Sequence, residues 1–239
     1  MRNYTILTYM VMVLMIVVLS GSSVQRNVLA VVALGDSITY GTGDPLNKGY
    51  IGRFNEQFER LKGTTVHINN YGIPGYTAEN LIEQLKSEKI KKEIQESNYI
   101  IVYIGTNDFR RSAKYQFNPI NLKKMKDGRS DFSRNLQQIL EKIRNENGSA
   151  PIIVMGLYNP YTQYKNHKQI LAEINKWNKD ITKVSSYYEP NMFVPTIDLF
   201  EGKPKKRYFS DSLHPNAAGY ELISNRLFEK MLILSDSNH

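Results

Sequence analysis

Short, continuously apolar runs alternate along this chain with longer stretches whose apolar residues recur at helical spacing. The runs cover residues 28–34, 65–69, 99–104, 151–155 and 192–197, and most end at glycine or aspartate. Hydrophobicity within them is unbroken rather than alternating, the mark of strands covered on both faces, so a parallel sheet is predicted. Between them, Leu81, Ile82, Leu85, Ile90 and Ile94 form one stripe, with Thr77 placed as its N-cap. Phe132, Leu136, Ile139, Leu140 and Ile143 form a second stripe. Ile170, Leu171, Ile174, Trp177, Ile181 and Val184 form a third, and Leu222, Ile223, Leu227 and Met231 the last. Trp177 therefore reads as helix-to-sheet packing. The order βαβαβαβαβα predicts an α/β fold: a three-layer α/β/α sandwich around a doubly wound, mostly parallel five-stranded sheet. Residues 109–130 show no stripe and read as a long irregular connection.

The first 25 residues stand apart. Arg2 is followed by no charge until Arg26, residues 6–19 are nearly all apolar, and Ser20-Gly21-Ser22-Ser23 follows. This predicts a signal peptide or, uncleaved, a membrane anchor, with one domain over residues 26–239. Export places the protein outside the cytoplasm, and the absence of cysteine fits a bacterial surface.

That absence also excludes disulfides, thiolate catalysis and thiolate metal sites. The histidines His67, His167, His214 and His239 are scattered, so no metal site is expected, and His67 reads as structural. The net charge of +8 is concentrated between Arg110 and Arg129, where seven basic residues face a single acid, Asp127. A solvated basic loop is the simplest reading. The alternative is a surface for anionic lipid headgroups or wall polymers. No nucleic-acid motif accompanies the charge, so nucleic acid is not an expected partner.

Four motifs fall where a doubly wound sheet builds its sites, at strand ends and in the last loop. Gly35-Asp36-Ser37 follows the first strand, and its serine is either a helix N-cap or a nucleophile. Asn70-Tyr71-Gly72-Ile73-Pro74-Gly75 follows the second, either as a plain turn or as backbone that approaches a ligand through Gly72. Gly105-Thr106-Asn107-Asp108 follows the third, and Asn107 is a neutral donor of the kind an oxyanion needs. Asp211-Ser212-Leu213-His214-Pro215 precedes the last helix. A carboxylate three residues before a histidine can reach its Nδ1–H and fix the tautomer. Pro215 can open the helix from its first position. No G-x-S-x-G occurs, so the α/β-hydrolase elbow is missing.

In this order and spacing, the four blocks resemble the GDSL-type SGNH hydrolase family from about residue 28 to residue 234. The resemblance implies a flavodoxin-like fold and a serine esterase without cofactor. It implies Ser37 as nucleophile, His214 as base and Asp211 as its acid. Oxyanion donors would come from Ser37, Gly72 and Asn107, with Asp36 and Asp108 supporting from behind. Ile38 stands where the family usually has leucine, a conservative departure. Two features favour a lipid or other acyl ester: the basic loop also carries Phe109, Tyr115, Phe117, Ile120 and Leu122, and Tyr158, Pro160, Tyr161 and Tyr164 after the fourth strand are expected to line an apolar acyl groove. A carbohydrate O-acetylesterase is the alternative substrate class. A non-catalytic lipid- or wall-binding module is the alternative of a different kind.

Overall fold

The computed structural model describes residues 28–236. The expected leader or anchor at residues 1–25 lies outside the described residues. No helix among those described is long and apolar enough to cross a membrane.

The sheet has five parallel strands: β1 (Val28–Gly35), β2 (Thr65–Gly72), β3 (Tyr99–Tyr103), β4 (Ile152–Met155) and β5 (Asn191–Val194). Their spatial order is β2-β1-β3-β4-β5, which is the flavodoxin-like winding. Alternate side chains of the same strands feed two separate cores, and this is why the runs are continuously apolar. Val32, Leu34, Ile100, Val102, Ile152 and Val154 face one core, packed against α3 (Ala78–Gln84), α4 (Glu88–Gln95), α6 (Leu122–Glu146) and α7 (His167–Ser185). Val31, Ala33, Ile101, Tyr103, Ile153 and Met155 face the other, packed against α2 (Gly49–Lys62) and α9 (Ala217–Asp236). Two short helices, α1 (Ser37–Tyr40) and α5 (Thr106–Ser112), start directly beyond β1 and β3. A third, α8 (Lys205–Tyr208), lies in the last long connection.

Trp177 is fully buried, stacked on Phe132 at 5.0 Å and edge-on to Phe109 at 5.3 Å. It ties α5, α6 and α7 together in the core that backs the sheet.

Three expectations need correction. The stripe from Leu81 to Ile94 is two helices, because the chain turns at residues 85–87 and a new helix starts after Ser87, whose side chain makes no capping bond. Thr77 does cap the first of them, in a reciprocal capping box with Asn80. Residues 109–130 are mostly helical, since α5 runs to Ser112 and α6 begins at Leu122, where Asn121 accepts the Lys124 N–H. The Arg110–Arg129 cations therefore decorate two helices and their short link. Pro215 does not open the last helix, because Asn216 caps it by accepting the N–H groups of Ala218 and Gly219.

Candidate active site

In a 2-1-3-4-5 sheet, the connections leaving β1 and β3 diverge to opposite faces and leave a crevice between their carboxyl ends. The register places Gly35 beside both Gly72 and Tyr103. The loops that follow β2, β1 and β3 therefore meet at this crevice, and so do three of the four motifs.

Ser37 is the first residue of α1 and is 4% exposed. Its N-cap is Asp36, whose Oδ1 accepts the Ile38 N–H at 2.9 Å. Ser37 is thus not the cap, and its hydroxyl is free for other work. That hydroxyl lies 3.1 Å from His214 Nε2, and His214 Nδ1 lies 2.7 Å from Asp211 Oδ2. With the proton on Nδ1, the imidazole donates to Asp211 and accepts from Ser37. Asp211 Oδ1 also accepts the backbone N–H groups of Leu213 and His214 at 2.7 and 2.6 Å. Partial burial pushes the Asp211 carboxyl up. The His214 ring and the two backbone donors outweigh that push and hold it below its ordinary value.

The loop carrying Asp211 and His214 is pinned at nearly every carbonyl. Lys205 Nζ donates to Ser212 O and to Pro160 O, both at 2.6 Å. The Tyr158 hydroxyl donates to Leu213 O at 2.8 Å, and Ser210 donates N–H and hydroxyl to His214 O. Gly43, at φ +91°, lies against the far side: a Cβ there would sit 2.2 Å from Ser210 Oγ and 3.0 Å from His214 Cβ. The segment carrying Gly43 is itself braced by Asp44. This carboxylate accepts the N–H groups of Leu46, Lys48 and Gly49 and pairs with the buried Arg53. Sequence reading missed Lys205, Gly43 and the Asp44–Arg53 pair, and gave Tyr158 to a substrate groove rather than to the catalytic loop. Their roles depend on tertiary approach, and no local pattern announces that.

The expected oxyanion donors divide. Ser37, at the first helical position, has an N–H without an intrahelical partner. Asn107 is 6% exposed and spends one Nδ2 hydrogen on Tyr76 O at 2.9 Å, leaving the other available. Gly72 differs. Its N–H is donated to Asn70 Oδ1 at 2.9 Å, while Asn70 Nδ2 donates to Thr39 O. Its lack of a side chain answers to packing, since a Cβ would lie 2.3 Å from Tyr40 N. Three residues later, Gly75 (φ +85°) has an N–H that makes no hydrogen bond among the described residues. The turn that carries it is fixed between Gly35, which accepts the Ile73 N–H, and Asn107, bonded to Tyr76.

Asp36 and Asp108 lie behind this site. Asp36 is fully buried, and its Oδ2 has no partner among the described residues. Burial, reinforced by the charge of Asp108 and only partly relieved by the Ile38 N–H, pushes its carboxyl up to about 7. Asp108 accepts the Ala78 N–H, joining α5 to the start of α3, and burial pushes it up to about 6.

The expected apolar groove is only partly present: Tyr161 and Tyr164 border an open groove, Tyr158 is instead bonded to Leu213 O, and Pro160 is not part of that groove's lining. Phe109 and Ile120 are core residues. Phe117 and Tyr161 pack on each other at 4.3 Å, and both also border an open groove with Tyr115 and Tyr164. His67 is exposed near the start of β2, away from the carboxyl ends of the strands.

Comparison with known proteins gives the site its setting. The chain is 30% identical over 205 residues to the uncharacterised protein YpmR of Bacillus subtilis (strain 168), covering 84% of this chain and 80% of the relative. Its fold is similar to that of the lipase Lip_vut3 from a goat rumen metagenome, with a TM-score of 0.75 at 24% identity over 84% of this chain and 97% of the other. It is likewise similar to Axe2, an acetylxylan esterase from Geobacillus stearothermophilus, with a TM-score of 0.66 at 17% identity over 84% and 93%. The model of the GDSL-like lipase/acylhydrolase family matches residues 33–222, a span holding all four motifs. With Ser37 facing His214 in that span, this chain belongs to the GDSL-like lipase/acylhydrolase family and is an ester-bond hydrolase.

Proposed function

We propose that the chain is a serine esterase that forms its acyl-enzyme on Ser37. The relay from the Ser37 hydroxyl through His214 to Asp211 carries this reading. As Ser37 Oγ attacks an ester carbonyl, His214 Nε2 takes its proton, and Asp211 stabilises the imidazolium. His214 returns that proton to the departing alcohol. A water molecule then attacks the acyl-enzyme with His214 again as base. The developing oxyanion receives the Ser37 N–H and the free Nδ2 hydrogen of Asn107. The third donor is the Gly75 N–H, taking the place expected of Gly72, whose own N–H is already bonded to Asn70.

The substrate proposed is a lipid or other acyl ester met outside the cytoplasm, with the N-terminal segment as signal or anchor. The aromatic groove beside the catalytic loop supports this, and the Arg110–Arg129 cations suit an anionic membrane or wall. Tyrosine-lined grooves also hold sugars, which supports the second reading, a carbohydrate O-acetylesterase. A purely binding module would have no use for a hydrogen-bonded Ser37–His214–Asp211 relay. Hydrolysis rates on p-nitrophenyl esters from two to sixteen carbons, beside acetylated sugars, separate the two substrates. A maximum beyond about four carbons is expected, and a maximum at acetyl with turnover of the acetylated sugars overturns the lipid reading.

A further inference from the structure

A groove of about 520 Å³ opens beside the catalytic loop, and Ser212 and Leu213 form part of its wall. Its ionisable lining is entirely basic or phenolic: Arg110, Lys165 and Lys205, with Tyr115, Tyr161 and Tyr164. Among the described residues, no carboxylate lines it. Arg110 and Lys165 have no ion-pair partner among the described residues. The Arg110 guanidinium lies over the Tyr115 ring at 5.0 Å, and its fork of N–H groups has no hydrogen-bond partner among the described residues. Lys205 spends two hydrogens on Pro160 O and Ser212 O, and an ammonium has three. Burial holds its pKa below the ordinary value. A cation that is partly desolvated and short of one acceptor gains from an anion in the groove.

The backbone is shaped for this arrangement. Lys114 and Tyr115 are consecutive non-glycine residues in the left-handed region, at φ 50° and 57°. Such backbone is costly and persists where the surroundings enforce it. Here it brings the Tyr115 ring beneath Arg110. The groove is also anchored to the reaction centre at two points. Arg110 lies one helical turn beyond Asn107 on α5, and Ser212 lies between Asp211 and His214.

We propose that this groove holds an anionic group of the substrate, a phosphate or a carboxylate, so that the enzyme selects negatively charged acyl esters. Arg110 supplies a two-pronged contact, Lys165 a mobile charge, and Lys205 its third N–H. The tyrosine and Phe117 faces cover the carbon skeleton between the anion and the ester. This rests on the esterase reading above and sharpens its substrate.

Two matched pairs of esters test it: p-nitrophenyl butyrate against the p-nitrophenyl monoester of succinate, and a monoacylglycerol against the lysophosphatidylglycerol of the same chain. Each is measured with the wild type and with the Arg110→Gln/Lys165→Gln double variant. The wild type is expected to favour the anionic member in kcat/KM by about tenfold, the scale of one charge-assisted contact. The double variant loses that preference through the KM of the anionic member, so that kcat/KM for the two members of each pair converges. Preference in both pairs means that any anion so placed is read, and preference in the lipid pair alone assigns the groove to a lipid phosphate. Equal rates on neutral and anionic esters in the wild type overturn the proposal, as does a variant that keeps the preference. If no ester is hydrolysed and Ser37 resists a fluorophosphonate, the esterase reading itself fails, a result distinct from hydrolysis without charge preference.

Discussion

At the scale of single residues, the chemistry rests on atoms whose partners are already in place. His214 has one ring nitrogen on Asp211 and the other on Ser37 before any substrate arrives. Most of this was legible in the sequence, because Asp211 and His214 share one short turn and Ser37 and Asn107 each follow a strand end. The Gly72 role was not legible. An Asn-x-Gly turn shows that backbone comes close to something, but not whether its N–H faces the crevice or the Asn70 side chain. Two outcomes belong at this scale. Asn107→Ala should lower kcat by about 10²–10³, the usual cost of one oxyanion donor, with KM little changed. Steady-state kinetics check it, and an unchanged kcat would place the amide outside the reaction. Gly43→Ala should also lower kcat, by about 10², because the new methyl displaces His214 by a fraction of an ångström to an ångström. Ester kinetics on a folded sample measure this, and wild-type rates would mean that the loop yields without cost.

At the scale of elements, the strands and the stripes of α3, α4, α6, α7 and α9 could be read from their periodicity, whereas α2 and the 109–130 segment went unread. Its lysines and arginines mask the stripe, and Gly128 argues against a helix by propensity. The structure supplies the missing reason: a Cβ at Gly128 would lie 1.9 Å from Ser112 Oγ, so the glycine lets α5 and α6 approach. Packing between elements outweighed local preference. The Asp44–Arg53 pair makes a similar point, since it fastens the segment after the nucleophile to α2 through a buried charge. Burial pushes the Asp44 carboxyl up, but Arg53 and the backbone donors hold it below its ordinary value. Arg53→Met strips a buried carboxylate of its partner and is expected to cost about 3–5 kcal/mol. Urea unfolding followed by Trp177, the only tryptophan and fully buried, reports this directly. A loss below about 1 kcal/mol would show that the backbone N–H groups alone satisfy Asp44.

At the scale of the whole molecule, the sheet covers its two cores with helices and keeps its carboxyl edge for chemistry. The order of the strands explains how Ser37 meets a loop far away in sequence. Asp36 sits at the junction of edge and core, and its burial links stability to pH. An unfolded chain releases this proton near the ordinary value of 3.8, whereas the folded protein holds it until about 7. Between those values the folded state binds more protons, so this group's contribution to stability falls as pH rises and levels off above about 7. Asp36→Asn keeps an N-cap acceptor and removes the titration. Its stability relative to wild type should therefore rise between pH 4 and pH 7, by up to about 4 kcal/mol. A stability difference that does not vary with pH, measured by urea unfolding at several pH values, would show that Asp36 is ionised at little cost.

The relay from Ser37 to Asp211 holds these scales together, and covalent labelling tests it most directly. A fluorophosphonate probe, with peptide mass analysis, is expected to modify Ser37 stoichiometrically and no other serine. Substituting His214→Ala should slow that labelling by about 10³ or more, because the hydroxyl then has no base. Modification at a different residue, or undiminished ester hydrolysis by a Ser37→Ala protein, would contradict the assignment of Ser37 as the nucleophile.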